Sequence, residues 1–309
     1  MLQLCLAISA LQYLRSTQTA KTRAQPEDGN VQGTGTTIVS ISAQGQQTLF
    51  ATSSAIGLDT ALGVLSAGLV VVGNLPVTSS GPGQGSLQFF NRNGNVVASL
   101  TDAKLLNGPW DLTINDNGST AQIFVSNALS GTVTRLNVAV SSSSVTVLSL
   151  VQIGSGFTHM LNSSVVVLAP TGLAYDPSRD MLFVASTADN EIFGIRNAGA
   201  RMTDAGTGAV VFADATNLHG PLGLTLIPNG HLITANGDAV NAIGTQNELV
   251  EFTEQGRLVA TYQLDPGAAG AAFGVAATSS HGSVRFAAVD DDLNAVIVWT
   301  LHAPLAGDE

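Results

Sequence analysis

The sequence is poor in charged residues and almost free of cysteine. Charged side chains make up 11% of its 309 residues, and Cys5 is the single cysteine, so no disulfide can form within the chain. Lysine and arginine together number 11 and do not cluster, and the net charge is −11. Nucleic acids and anionic membranes attract basic surfaces, so this composition argues against both as partners. The low thiol count is typical of a periplasmic or extracellular protein, which is where we expect the chain.

No apolar run reaches the roughly 20 residues of a membrane-spanning helix. Residues 1–28 nevertheless differ from the rest, since Met1–Leu14 is apolar and able to form a helix while Thr17–Asp28 is polar. A signal peptide is one interpretation, although no basic residue precedes the apolar run and no clear small-x-small cleavage site follows it. A start that is foreign to the domain is the other. Both predict a leader over residues 1–28 that is poorly ordered or helical.

Specific catalytic motifs are absent as well. The sequence contains no Gly-x-Ser-x-Gly elbow, no HExxH, no CxxC and no phosphate-binding loop. Cys5 lies in the leader and has no plausible catalytic partner there. If the protein is a hydrolase, an activated water is therefore a better candidate for the nucleophile than a side chain.

The sequence does contain an internal repeat. Segments that begin with a turn and continue into an aliphatic strand recur about every 50 residues. Their anchor residues are Gly63, Asp111, Gly172, Gly223 and Gly274. In a chain made of strands, a period of about 50 residues predicts β-propeller blades, each with four antiparallel strands. We therefore assign residues 29–309 to one propeller domain.

The strands predicted around these anchors do not fill a complete ring. Residues 36–51 supply a third and a fourth strand before the first anchor, complete blades follow, and the chain after the last anchor supplies a blade without its fourth strand. The predicted architecture is all-β: a six-bladed propeller plan of four-stranded antiparallel blades whose first and last blades are incomplete. An unfinished blade leaves an open strand edge, which propellers usually avoid by pairing their terminal strands.

Two of the repeat units resemble a known family. Gly220–Asn236, which begins Gly-Pro-Leu-Gly-Leu, and Pro170–Ser186, which begins Pro-Thr-Gly-Leu-Ala, look like NHL-repeat units. More widely, residues 30–301 are similar to the six-bladed propellers that include gluconolactonases, the senescence-marker group and paraoxonases, of the bacterial exported kind. The resemblance implies the propeller fold, lactonase-type chemistry and a central divalent cation. Propellers host many functions, so it bears on the fold more than on the activity.

In a propeller, the turn before the first strand of a blade lies near the central channel. The residues that directly precede the anchors form a first column, which is mostly apolar: Leu62, Trp110, Thr171, Leu222 and Phe273. The resemblance places Asn and Asp ligands of the cation in this region, and the sequence departs from that pattern. Two interpretations are open, namely packing of the channel and an apolar mouth that seats an acyl group. In the second, Trp110, Leu222 and Phe273 bind the ligand.

A second column closes the second strand of each unit: Asn74, Asn127, Ser186, Asn236 and Asp290. Short polar side chains at such positions commonly bond the backbone of their own loop, or they form a polar ring that faces a ligand. In the second case Asn127 and Asn236 are ligand-binding residues. If Ca²⁺ binds, we expect Asp238 and Asp290 on the same face to hold it, because calcium prefers carboxylate and carbonyl oxygens.

His219 is the histidine best placed for chemistry. It lies in the turn before the first strand of its unit, where an earlier unit has Asn107. A histidine at a channel mouth is suited to general-base catalysis near neutral pH. Asp111, at a position where other units have glycine, is the predicted partner that orients His219 or holds a water. The alternative is a turn histidine that bonds neighbouring backbone.

Two functions follow from these residues. The first is a small-molecule hydrolase for a lactone or ester of the acyl-lactone type, in which water attacks the carbonyl with help from His219 or Ca²⁺ and the oxyanion is stabilised by the ion or by the amides of Asn127 and Asn236. The second is a non-catalytic propeller that binds a protein, a peptide or a glycan through one face. The first predicts a small-molecule substrate as the partner, and neither predicts an oligomeric state.

Overall fold

The computed structural model describes residues 4–6, 36–42, 46–55, 57–78, 80–162, 165–237, 240, 247–264, 270, 272–280, 283–290 and 295–302. Every regular element in these ranges is a β-strand, so the all-β prediction is confirmed. Within the same ranges no helix has the length and apolarity needed to cross a membrane. Of the predicted leader, the structure describes one short strand, Leu4–Leu6.

The strands pair with antiparallel neighbours in sheets. The N-terminal sheet contains β1 (Leu4–Leu6), β2 (Thr37–Ile41) and β3 (Gln47–Thr52). Blade 1 contains β4 (Leu58–Val64), β5 (Val70–Leu75), an inserted hairpin of β6 (Val77–Thr78) and β7 (Gly81–Pro82), then β8 (Ser86–Phe90) and β9 (Val96–Leu100). Blade 2 contains β10 (Pro109–Asp116), β11 (Thr120–Asn127), β12 (Thr132–Val140) and β13 (Val145–Gly154), and a hairpin of β14 (Met160–Asn162) and β15 (Val166–Leu168) follows it.

The remaining blades repeat this order along the chain. Blade 3 contains β16 (Pro170–Asp176), β17 (Met181–Ser186), β18 (Glu191–Arg196) and β19 (Ala209–Phe212). Blade 4 contains β20 (Pro221–Leu226), β21 (His231–Asn236), β22 (Leu249–Thr253) and β23 (Leu258–Tyr262). Blade 5 contains β24 (Ala272–Ser280), β25 (Ser283–Asp290) and β26 (Ala295–His302). The described part of blade 5 therefore has three strands, as the sequence predicted for the last blade.

The prediction of six blades is wrong, because the described residues form five. Each blade has an inner strand, and these pack in sequence: β4 on β10, β10 on β16, β16 on β20, and β20 on β24. In the N-terminal sheet, β2 and β3 form the predicted outer hairpin and β1 pairs with the other edge of β2. None of the described residues before Leu58 supplies an inner strand to this sheet. The sequence pattern counted the hairpin as part of a blade, whereas an inner strand is what places a blade around the axis.

The core lies between neighbouring blades. The second strands are the most buried, and β5 is buried at every position, Val70-Val-Val-Gly-Asn-Leu75. A second strand is covered on both faces by adjacent blades, so it is apolar on both sides instead of alternating. The outer strand β23 is exposed at every position. Sheets of this kind, covered on both faces, require runs of β-branched and aromatic residues, which the sequence supplies in place of helix-forming residues.

Candidate functional site

All five inner strands begin with the same irregularity. The register between each inner strand and its second strand shifts near the N-terminal end of the inner strand, at Asp59/Ala61, Pro109/Asp111, Pro170/Leu173, Pro221/Leu224 and Ala272/Val275. Four residues of the predicted first column lie inside these shifts: Trp110, Thr171, Leu222 and Phe273. Such bulges bend the strand and redirect side chains at the rim of a barrel or propeller.

In blade 1 the equivalent residue is Thr60, so the assignment of Leu62 to the first column was wrong by two positions. The Leu-Gly-Val segment imitates the anchor pattern of the other blades, but β4 begins earlier, at Leu58. The hydroxyl of Thr60 donates to the carbonyl of Pro109 at 2.8 Å, and that of Thr171 donates to the carbonyl of Pro221 at 3.0 Å. These two side chains tie one inner strand to the next around the channel.

The structure brings Trp110 and Phe273 into one apolar cluster, which we call the mouth cluster. Its other members are Leu58, Leu75, Ala128, Val167 and Ala169, with Val77, Leu129 and Val166 packed against it. The cluster joins blade 5 to blades 1 and 2 and to the β14–β15 hairpin, and residues from opposite sides of a ring meet only near its axis. Leu222 lies instead against Gly237, where an added methyl group would come within 2.2 Å of its Cδ1 atom. Of the three residues predicted for an apolar mouth, Trp110 and Phe273 thus share one cluster and Leu222 lies outside it.

Asp111 follows Trp110 at the shift in β10 and is half-buried. Its Oδ2 atom accepts a hydrogen bond of 2.8 Å from the backbone N–H of Leu173 in blade 3. Burial raises the pKa of the Asp111 carboxyl to about 7, against the lowering effect of backbone hydrogen bonds from Leu173 and Leu112. The equivalent residues in the other blades are Ala61, Gly172, Gly223 and Gly274. Blade 2 thus carries a carboxylate at a position where the other blades have alanine or glycine.

The second column lies at the ends of the second strands, and all five of its residues are buried. The side-chain amide of Asn127 donates to the carbonyl of Leu105 at 3.2 Å, and that of Asn236 donates to the carbonyl of Asn217 at 2.8 Å. The hydroxyl of Ser186 donates to Asp189 at 2.6 Å. Asn127 and Asn236 thus bond the turn that precedes the first strand of their own blade, and Ser186 bonds a residue of the loop that follows it.

The two asparagine contacts belong to a repeated turn that the sequence reasoning missed. Residues 102–109 and 214–221 share the pattern Asp-Ala-x-x-Leu-x-Gly-Pro. In each turn the aspartate Oδ1 accepts backbone hydrogen bonds from the second and third residues after it, at 2.9–3.2 Å. In each turn the leucine N–H also donates to the aspartate carbonyl. The identity of five residues at matching positions was the available signal, and it extends the match between Asn107 and His219 that the sequence analysis used.

His219 is buried within the second of these turns, with 1% of its surface exposed. Its backbone N–H donates to Asn236 Oδ1 at 3.0 Å, so the structure brings these two predicted site residues together. Its ring Nε2 atom lies 3.1 Å from the carbonyl oxygen of Thr216 and donates to it, because a carbonyl only accepts. Asn190 accepts from Gly220 N–H and donates to Leu218 O, which fixes the turn on both sides of His219.

Asp59 is a buried carboxyl that the sequence reasoning did not select. It is 1% exposed, its Oδ1 atom accepts from the Asn74 amide at 3.2 Å, and its Oδ2 atom has no hydrogen-bond partner among the described residues. Burial raises the pKa of Asp59 to about 6, and the hydrogen bond from Asn74 opposes the shift. The signal was an acidic residue inside an otherwise apolar strand start, Leu58-Asp-Thr-Ala-Leu62.

The residues predicted to hold calcium do not assemble a site in the described part of the chain. Asp290 is buried at the end of β25, whereas Asp238 lies outside the described residues. The Asn236 side-chain oxygen is already bonded to His219. Where side chains are described, no group of three or more His, Cys, Asp and Glu residues is arranged to hold a metal ion. Calcium takes about six to eight oxygen ligands, which this donor set does not provide.

No family model matches the sequence, and no curated protein matches it. Solved structures do match. Virginiamycin B lyase from Staphylococcus aureus has a TM-score of 0.53 at 15% identity, covering 89% of this chain and 80% of that one. The calcium-binding protein regucalcin from Agrobacterium tumefaciens has a TM-score of 0.51 at 16% identity, covering 82% and 74%. A putative 6-phosphogluconolactonase from Bacteroides uniformis has a TM-score of 0.51 at 15% identity, covering 87% and 78%. The chain thus shares its fold with these three proteins.

Proposed function

We propose that the protein is a small-molecule hydrolase that opens a lactone or cleaves an ester at the mouth of the channel. The observation that carries this proposal is the Asp111 carboxyl. It follows Trp110 of the mouth cluster in β10, burial raises its pKa to about 7, and the backbone N–H of Leu173 fixes its orientation. A general base works best when its pKa is close to the working pH, and a half-buried carboxyl next to an apolar wall meets that condition.

In this mechanism the Asp111 carboxylate removes a proton from a water molecule while the water oxygen attacks the substrate carbonyl. The carbonyl carbon becomes tetrahedral, and its bond to the ester oxygen then breaks. The departing oxygen takes the proton back, so a lactone gives one hydroxy acid and an ester gives an acid and an alcohol. The apolar side chains of Trp110 and Phe273 would seat the acyl part of the substrate, since transfer of apolar surface out of water is favourable.

The roles of the other predicted residues change in this proposal. The amides of Asn127 and Asn236 were predicted to stabilise the oxyanion, but both donate to loop carbonyls. His219 was predicted to be the base, but it is 1% exposed and its Nε2 atom donates to Thr216. All three therefore hold the repeated turns that frame the mouth, and Asp111 is the group left to activate water. The likeness in fold to a putative 6-phosphogluconolactonase supports a lactone as the class of substrate.

The test is a comparison of Asp111→Asn with Asp111→Gly on a panel of lactones and esters. Asparagine keeps an oxygen that accepts from Leu173 but cannot act as a base, and glycine restores the residue found at this position in blades 3, 4 and 5. We expect both variants to lose at least about a hundredfold in kcat/KM, with only the glycine variant losing thermal stability. Full turnover in Asp111→Asn, with normal folding, would remove Asp111 from the mechanism.

A second candidate function is a non-catalytic propeller that binds a protein, a peptide or a glycan. It is favoured by one observation, which is that the mouth cluster already fills the axial end of the described blades. A scaffold of this kind needs no catalytic group, and the second column then serves only to bond loops. Absence of turnover on the whole panel, with the protein folded, would select this candidate.

Calcium enters the hydrolase proposal as a further question for the same assay. A titration with Ca²⁺ and with a chelator, followed by thermal melting and turnover, tests the predicted roles of Asp238 and Asp290. Because the described donors do not assemble a calcium site, we expect neither the melting temperature nor the turnover to depend on calcium.

A further inference from the structure

A cleft of about 220 Å³ opens between blades 4 and 5, away from the mouth cluster. One wall is a cross-strand row of blade 4 in which Ile233 stands opposite Glu251. Next to this row Tyr262 projects from β23 with 55% of its surface exposed. The other wall belongs to blade 5, where Phe286 stands opposite Trp299. The cleft is therefore a built feature of two facing sheets.

The aromatic side chains of the cleft are arranged as a partial cage. The rings of Tyr262 and Trp299 lie 6.1 Å apart and almost perpendicular, at 84°. The rings of Phe286 and Trp299 lie 5.5 Å apart and are stacked. The face of an aromatic ring carries a negative quadrupole and attracts cations, with tryptophan the strongest of the three.

Glu251 is the one charged residue among the described residues that line the cleft, and it pairs with His231, which carries a charge only when protonated. The Glu251 Oε1 atom accepts a hydrogen bond of 2.6 Å from His231 Nδ1, which fixes the carboxylate in place. None of the residues that line the cleft is lysine or arginine, and the whole chain carries a net charge of −11. A held carboxylate among aromatic faces, on an acidic protein, favours a positively charged occupant.

The position in blade 2 that is equivalent to Glu251 carries a charged residue that pairs with the protein itself. Arg135 stands opposite Phe124, which lies three residues before the strand end at Asn127, and Glu251 stands opposite Ile233, which lies three residues before Asn236. Arg135 is buried, and its guanidinium donates to the carbonyl of Ala198 in blade 3 at 2.8 Å. In blade 2, therefore, the charged side chain donates hydrogen bonds to carbonyl groups of the protein itself. In blade 4 the charge at this position is negative instead of positive, and Glu251 lines the open cleft.

We propose that the cleft between blades 4 and 5 binds a small organic cation with an apolar body, such as a quaternary ammonium compound. The aromatic faces of Tyr262 and Trp299 contact the cationic head, and Glu251 supplies the opposite charge. This site is separate from the mouth of the channel, so its failure would leave the proposed hydrolase unaffected.

The test is calorimetric titration of the full chain with choline and with 3,3-dimethyl-1-butanol, the neutral isostere of choline. We expect saturable binding of choline and at least about tenfold weaker binding of the neutral compound. Glu251→Gln keeps an acceptor for His231 but removes the charge, and Trp299→Leu removes the best aromatic face. Each is expected to weaken choline binding at least about tenfold.

Two further variants separate binding from folding. Tyr262→Leu changes an exposed residue, so it is expected to fold normally and to weaken choline binding. The control variant is Val298→Thr. Val298 is next to Trp299 in β26, its side chain lies on the opposite face of the strand, and it is 53% exposed, so choline binding should not change. Equal affinity for choline and its neutral isostere, unchanged affinity in Glu251→Gln, or no choline binding at all would each overturn the proposal.

Discussion

Two neighbouring inner strands each carry a carboxyl group whose charge is disfavoured by folding. Burial raises the pKa of Asp59 on β4 to about 6 and that of Asp111 on β10 to about 7, both from 3.8. In the unfolded chain these groups lose their protons near the lower value. Between the two pKa values the folded state therefore holds protons that the unfolded state has released.

We expect the free energy of unfolding to fall as the pH rises from about 4 to about 7, because each carboxyl must become charged in a poorly solvated place. A shift of about two pKa units corresponds to about 2 to 3 kcal/mol for one group. The variant Asp59→Asn keeps an oxygen that accepts the hydrogen bond from Asn74, but it cannot titrate. In this variant the free energy of unfolding should therefore fall less over the same pH range. Denaturant unfolding across that pH range measures it, and an identical pH dependence in both proteins would contradict the assignment.

The equivalence of His219 with Asn107 gives a matched pair of substitutions. His219→Asn installs the residue that the same turn carries in blade 2, so we expect a melting temperature and turnover close to those of the parent. His219→Ala removes the donor to Thr216 and should destabilise the protein by about 1 kcal/mol. If His219→Asn folds normally yet loses turnover, the histidine is a general base, as the sequence alone suggested.

What the sequence could predict at this scale depended on whether a residue broke a visible pattern. Asp111 stood out because other repeat units have glycine there, and the structure gives it an unusual pKa. Asp59 was missed because the first unit was aligned on Gly63, two residues too late. The partners of Asn127 and Asn236 are backbone carbonyls of distant turns, and no local pattern reveals such contacts.

At the scale of elements, the anchor glycines are explained by the approach of one inner strand to the next. A methyl group at Gly172 would lie 2.4 Å from the carbonyl oxygen of Leu222, and one at Gly223 would lie 2.7 Å from that of Phe273. Gly274, in the last blade, differs, because its nearest neighbour would be Val289 Cγ2 at 3.6 Å. The same repeat position is therefore crowded in blades 3 and 4 and open in blade 5.

Gly172→Ala and Gly274→Ala should thus differ in effect. We expect Gly172→Ala to destabilise the protein by about 1 to 3 kcal/mol, since the backbone of β20 cannot move away without disturbing blade 4. Gly274→Ala should change the stability by less than about 0.5 kcal/mol. Thermal or denaturant unfolding of both variants measures the difference. Equal losses would show that another inner strand packs against Gly274 as it does against Gly172.

The elements themselves could be predicted well, because hydrophobic periodicity and turn residues act locally. The outer hairpin of β2 and β3 and the strands that follow each anchor lie where the sequence placed them. The repeated Asp-Ala-x-x-Leu-x-Gly-Pro turn was equally local and simply overlooked. The number of blades could not be derived in this way, because it depends on which strand reaches the axis.

At the scale of the whole molecule, the inner strands of the described blades pack in sequence from β4 to β24. Blades 2, 3 and 4 each pack between two neighbouring blades, whereas the extensive packing of blade 5 among the described elements is on blade 4 alone. Its outermost strand, β26, pairs only with β25 among the described strands. Strands with one partner and one covered face open more easily than strands buried on both sides.

We therefore expect native-state hydrogen exchange to be slowest in β11, β17 and β21, the second strands of the middle blades, and much faster in β26. Exchange measured by mass spectrometry on peptides that cover these strands provides the comparison, with the exposed outer strand β23 as an internal reference for an edge. If β26 exchanges as slowly as β17, a further strand covers its edge and the ring is closed. Fast exchange confined to β24, β25 and β26 would instead show that blade 5 is the weak end of the propeller and opens as a unit.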